Sequence, residues 1–545
     1  MKKILSYGMS LAMMAAVSFS ATSCIDETVP TNGFTENQVH SSQKALESLL
    51  WGMPSALNNF DLFSGSYGFD WGYGSLMHIR DRETGDCTRT ASGYDWYSSY
   101  EYNQNMGENM LLTQFLWNSY WKFVQPVNEM IKAVPDVENA TDDVKGFKGA
   151  GYAFRAMLYL DMARQWEYLP TDVTSNINVD GNDVLNLTVP IVDENATEES
   201  TRNNPRATRK QMADFILADL QHAEELIPYL PSADKTLPHL DCVYGLYARL
   251  YMWLAGEDPQ YYQKAYEYAD KAITESGLSP MTENECRSKT NGFNDISKWM
   301  WGSKFVKEND AVQSGILNWT SWMSNETTYG YAMAEPILKM DALMYSQISN
   351  TDWRKQMYAP GKFSAKTAAW YNDNCIDLHN SQMTYSDWDL GASTKFRPSN
   401  GNVSDVNIGA ATAYPLMRVE EMYFIKIEAE AHINANQGKQ MLEDFMLDYR
   451  DPDYECTATS QDDIVKEIVF QKRVELWGEG QSFFDIKRLN YSVDRTYQGT
   501  NHATSAQLAT NGRPAWMNWV IVLTEQNNNA ALVGWNNPDP TGKYK

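Results

Sequence analysis

The sequence predicts a mostly α-helical protein whose helices carry long, irregular, aromatic-rich segments. Three observations point to this. Apolar residues recur at helical spacing over about 110–275 and 414–490. Between Leu240 and Ile273, small residues and tyrosines fall where two antiparallel helices would meet. Over about 60–105 and 281–404 the periodicity is lost, while tryptophan, glycine and asparagine accumulate.

In chain order, Lys2 and Lys3 precede a mostly apolar run from Ile4 to Phe19, too short for a stable span. Ala21-Thr22-Ser23 then lead to Cys24, which resembles a bacterial lipobox. Residues 1–23 are therefore expected to be a lipoprotein signal peptide, with Cys24 the lipidation site and more than one acyl chain needed for a durable hold. Asp26 and Glu27 resemble the surface-export signal of Bacteroidetes lipoproteins. Residues 24–40 read as an acylated tether, and 41–545 as one domain.

A helix is expected from Ser42, followed by loop from Phe60 to Gly74 and an aromatic loop from Gly93 to Asn105. Helices return near Met110 and continue to about Glu167, and Pro205 to Thr208 open another. The Leu240–Ile273 unit, turning at Ala255-Gly256, is a tetratricopeptide-type helical hairpin. Pro336 to Leu343 is a short apolar run of helical character. Tyr414 to Ala431 reads as a helix wedged between neighbours, with Pro415 in its first turn. Asp462 to Leu489 is helical again, and Trp519 to Val522 is strand-like.

Charge narrows the function classes. A net charge of −25 and a pI near 4.7 argue against nucleic acid as a partner. The sequence has no HExxH, GxSxG or Walker A motif, and its seven histidines show no metal spacing. No catalytic residue, metal or cofactor is assigned. Cys24 apart, the five remaining cysteines form no CxxC pair.

Several stretches together resemble the SusD/RagB family of outer-membrane nutrient-binding lipoproteins. Pro415, Leu416, Arg418, Glu421, Tyr423, Ala429, Glu430 and Ala431 supply one of its helix motifs. Arg473, Glu475, Leu476, Glu479, Gly480, Asp485, Ile486 and Arg488 supply the next, with Gln481-Ser482 where the family commonly has an arginine. Phe154-Arg155-Ala156 through Asp161 and Arg164 resemble an upstream helix, and Glu525 and Asn529 its closing motif. The resemblance implies a SusD-like fold and no catalysis. It also implies a glycan or peptide ligand at the cell surface, with a SusC-like TonB-dependent transporter in the outer membrane as partner.

Sugar recognition asks for flat aromatic faces with planar polar groups at their edges. Trp51, Trp117, Trp121, Trp166, Trp253 and Trp477 fall on helices and are expected in the core. Trp71, Trp96, Trp319, Trp322, Trp370 and Trp388 fall in loop-like segments, where ligand contact is a better expectation. The family resemblance singles out two areas. Trp96 and Tyr97, with Asp95 and Asn103, form the first; Trp319, Trp322 and Tyr331 form the second. Trp71, Arg80 and Asp81 complete the candidate set.

Overall fold

The computed structural model describes residues 42–60, 67–331, 336–376 and 388–544. The expected signal peptide, Cys24 and the whole of the expected tether lie outside them.

Helix α1 (Gln43–Ala56) starts where Ser42 caps it, its hydroxyl accepting the Ala45 N–H. Helix α2 (Tyr73–Glu83) begins inside the stretch read as loop, and every one of its residues is buried. Strand β1 (Cys87–Arg89) follows. Helices α3 (Leu111–Lys132) and α4 (Asp142–Trp166) are the long pair expected after Met110. Helix α5 (Arg209–Leu226) opens on a capping box between Thr208 and Gln211. Helices α6 (Leu240–Leu254) and α7 (Tyr261–Ser276) form the hairpin, with Ala265, Ala269 and Ala272 buried between them and their neighbours.

Strands β2 (Trp301–Lys304), β3 (Leu338–Met340) and β4 (Ala413–Met417) come next. Helices α8 (Val419–Ile433), α9 (Ala435–Tyr449), α10 (Gln461–Glu475) and α11 (Ser482–Arg488) complete the scaffold. Each helix from α3 to α8 packs on the next, and α8 then packs on both α9 and α10. One large apolar core runs through this series and into the loop-rich half, while α8, α9 and α10 enclose a smaller one around Phe424, Leu442 and Ile468. Among the described residues, no helix is long and apolar enough to cross a membrane.

Three expectations are corrected. Tyr414 to Ala431 is not one helix: Pro415 lies in β4, opposite Gly302 of β2, and α8 begins only after Arg418. The residue before a proline is pushed out of helical geometry, so Tyr414 starts the segment extended. Pro336 to Leu343 likewise yields a strand, pairing Met340 with Cys87, before a short helix capped by Asp341. Trp519 to Val522 has no strand partner among the described residues, and Ile521 instead donates its N–H to Asn536 Oδ1 at 2.8 Å.

The motif charges of α8, α10 and the turn after it meet in one buried network. Arg418 pairs with Glu420 at 2.8 Å, Glu479 at 2.9 Å and Glu475 at 3.3 Å. Glu475 also receives Arg450 at 2.8 Å and Arg354 at 3.2 Å. Burial raises the Glu475 pKa, but Arg450 and Arg418 outweigh it and hold the carboxyl well below its usual range. These pairs cross elements and so fix helix register.

Candidate ligand-binding site

Trp96 stands at the surface, 40% exposed, while both its chain neighbours are buried. Asp95 accepts a hydrogen bond from Arg82 Nη2 at 2.7 Å and from the Tyr97 N–H at 3.1 Å. Arg82, wholly buried on α2, also pairs with Glu101. One guanidinium thus grips the loop on both sides of Trp96. Glu101 accepts the Thr88 hydroxyl at 2.8 Å and contacts His502 Nδ1 at 2.8 Å. Burial raises its pKa, yet Arg82 and His502 prevail and lower it to about 2. The Tyr97 hydroxyl accepts the Trp71 indole N–H at 2.6 Å and meets the Ser75 hydroxyl at 2.8 Å.

The Trp96 ring meets Tyr67 and Phe69 edge-on, at centroid distances of 6.1 and 6.2 Å. The Tyr331 hydroxyl lies on the same side of Gly68 as this ring, and Tyr331 stacks on Trp322 at 3.9 Å. Gly68 makes this packing possible, because a Cβ there would lie 2.3 Å from Trp96 Cδ1 and 2.5 Å from the Tyr331 oxygen. Behind this platform the rings continue inward. Trp322 meets Tyr97 at 4.8 Å, Trp71 meets Trp319 at 6.1 Å, and Trp319 stacks on Tyr414 of β4 at 4.9 Å. Tyr94, 60% exposed, lies two residues before Trp96. The arrangement offers a flat apolar face on a rigid backing.

The other candidates face inward, which corrects their assignment as ligand-facing groups. Trp71, Tyr97, Trp319, Trp322, Arg80, Asp81 and Asn103 are all at most 3% exposed. Arg80 donates to Gly480 O at 2.9 Å and Tyr120 Oη at 3.0 Å, and pairs with Asp161 at 3.3 Å. Asp81 accepts the Gly480 N–H at 3.0 Å. Gly480 has φ 69° and sits against Met77, where a Cβ would lie 2.8 Å from backbone atoms.

Asn103 takes φ 51° and donates to Pro540 O at 2.9 Å, while its own carbonyl accepts the Gly542 N–H at 3.0 Å. Arg495 donates to Glu101 O at 2.7 Å, and Trp516 Nε1 to Glu83 O at 2.8 Å. The platform therefore unites Trp96 and Tyr331 with Tyr67, Gly68 and Phe69, which sequence reasoning passed over. Their signal was an aromatic at every second position up to Trp71.

Known proteins share this architecture. Residues 253–530, just over half the chain, match the SusD family model. The chain belongs to the SusD family. Residues 73–252 match a second SusD-like family model, described as "Starch-binding associating with outer membrane". A SusD-like carbohydrate binding protein from Bacteroides vulgatus superposes with a TM-score of 0.70 at 22% identity, covering 90% of this chain and 96% of its own. A SusD superfamily protein from Bacteroides thetaiotaomicron gives 0.64 at 18% identity, covering 91% and 99%. One from Parabacteroides distasonis gives 0.64 at 15%, covering 92% and 98%. Among curated proteins no match was found.

Proposed function

We propose that this SusD-family protein is a lipid-anchored, non-catalytic glycan-binding protein of the cell surface. It captures an oligosaccharide at Trp96 and passes it to a SusC-like TonB-dependent transporter. The observation that carries this reading is the exposed Trp96 face, fixed by Arg82 and Tyr97 and backed by Tyr67 and Phe69. Such a face receives the C–H face of a pyranose ring, and the Tyr331 hydroxyl lies at its edge. The description of the family model matching residues 73–252 supports the ligand class and the membrane association.

Native affinity electrophoresis through a polysaccharide panel tests it. The parent is retarded by at least one glycan, and Trp96→Ala loses at least tenfold in affinity, or ~1.4 kcal/mol. Trp96→Ala changes a surface side chain, so its thermal midpoint stays near that of the parent. Equal retardation of both proteins overturns the site, and retention by peptides alone overturns the ligand class. Trp319→Ala is no substitute, because that indole is 1% exposed and its loss acts through the core.

A further inference from the structure

A cavity of about 30 Å³ lies among α4, α6, α8, α10 and α11, away from Trp96. That volume suits two waters or one small ion, a single water needing about 10–15 Å³. Its wall is unusually cationic for a protein interior. Five basic side chains line it against three carboxylates, and most of the carboxylates are already engaged.

Arg249 takes both oxygens of Glu421, at 2.7 and 2.6 Å. Asp485 is shared between Lys472 at 2.9 Å and Arg488 at 2.8 Å, with Glu428 as the second partner of Arg488. Glu167 is held by Arg209 and by the Trp253 indole N–H. That leaves two cations undercompensated. Arg164 shares its one carboxylate, Asp161, with Arg80. Among the described residues Lys487 has no carboxylate within ion-pair distance and donates to the carbonyls of Gln165 and Glu167, both at 2.8 Å.

A neutral donor faces the same space. The Gln481 side chain lines the cavity, is more than nine-tenths buried, and makes no hydrogen bond among the described residues. Buried amides are ordinarily paired, so an idle one at a polar cavity points to a missing acceptor. Electrostatics agrees with the geometry. Burial, with Arg249 and Arg80 nearby, holds Arg164 below its ordinary pKa, and burial drives Lys487 down further.

We propose that this cavity binds a small monovalent anion of the chloride class, held by Arg164, Lys487 and the Gln481 amide. The anion neutralises a junction of five helices that protein carboxylates leave positive. Crystals of the full chain grown in sodium bromide test this by anomalous diffraction. A bromide peak within the cavity is expected; a map with only water there overturns the proposal.

In solution, the thermal midpoint is expected to be about 2 °C higher in sodium chloride than in sodium gluconate at equal ionic strength. Equal midpoints overturn the proposal as well. Gln481→Leu is expected to abolish the halide dependence, and should that variant not fold, the bromide map of the parent still decides.

Discussion

Gly68 has no side chain, and the Trp96 ring and Tyr331 hydroxyl occupy the space that one would need. Gly68→Ala places a methyl group against Trp96 and the Tyr331 hydroxyl and turns the Trp96 ring away. Affinity for the retained glycan is expected to fall about tenfold, with a thermal shift of no more than about 2 °C. Isothermal titration calorimetry with an oligosaccharide checks this, and an unchanged affinity would mean that the ligand does not read the position of that ring. At this scale the sequence speaks unevenly. Loop context singled out Trp96 and the family resemblance Tyr331, but loop context equally singled out Trp71, Trp319 and Trp322. Whether an indole in a loop is buried depends on what the rest of the chain lays over it. Tyr414 does so for Trp319, almost a hundred residues away.

The loop carrying Trp96 is an element held by charge, and its stability should follow pH. His502 sits between Glu101 at 2.8 Å and Asp341 at 3.4 Å, with Arg82 and Arg495 on the far side of Glu101. Burial disfavours its charged form, but the two carboxylates prevail and raise its pKa above the ordinary 6.5. A raised folded-state pKa gives stability that is full below about 6.5 and lost as pH climbs through the raised value. Glu101 works oppositely. Its contribution is present above the ordinary 4.5 and lost as pH falls toward 2. The thermal midpoint should therefore be highest between those limits, and His502→Gln should flatten the decline on the alkaline side. Parallel melting curves for the two proteins above pH 6.5 would sink this account.

Elements were legible where one face meets water. The spacing that marks α3, α5 and α7 is the imprint of a buried stripe beside a wet one. Helix α2 has no wet face at all, so its Arg80, Asp81, Arg82 and Glu83 carry no stripe and it read as loop. Arg80, Asp81 and Glu83 meet partners on segments far away in sequence, which no local pattern records. Strand β4 was missed for a different reason. Its apolar spacing continues smoothly into α8, and only Pro415 marks the break.

Across the whole molecule, register rests on buried ion pairs. Glu475 binds Arg354, Arg418 and Arg450 at once, joining α10 to three other segments. Glu475→Gln keeps the shape and removes the charge, leaving three guanidinium groups short of a partner. The expected cost is about 3–5 kcal/mol, read as a lower midpoint in urea denaturation. A loss below about 1 kcal/mol would show that the remaining carboxylates compensate. Arg418 and Glu475 were the most legible of all, because their motifs carried the resemblance to the family, whereas nothing in the sequence marked Arg354 or Arg450 as their partners. They identify the scaffold while lying far from its exposed aromatic face.

The ties from Asn103 to Pro540 and Gly542, from Glu101 to Arg495 and from Glu83 to Trp516 set an order of events during synthesis. Trp96 and its Arg82 grip are made early, yet the ties from Arg495, Trp516, Pro540 and Gly542 come some four hundred residues later. Contacts so distant along the chain close slowly and last. A growing or clipped chain can assemble its helices and still lack a rigid platform. Competence to hold ligand would then mature only after the segment from Arg495 to Gly542 is in place.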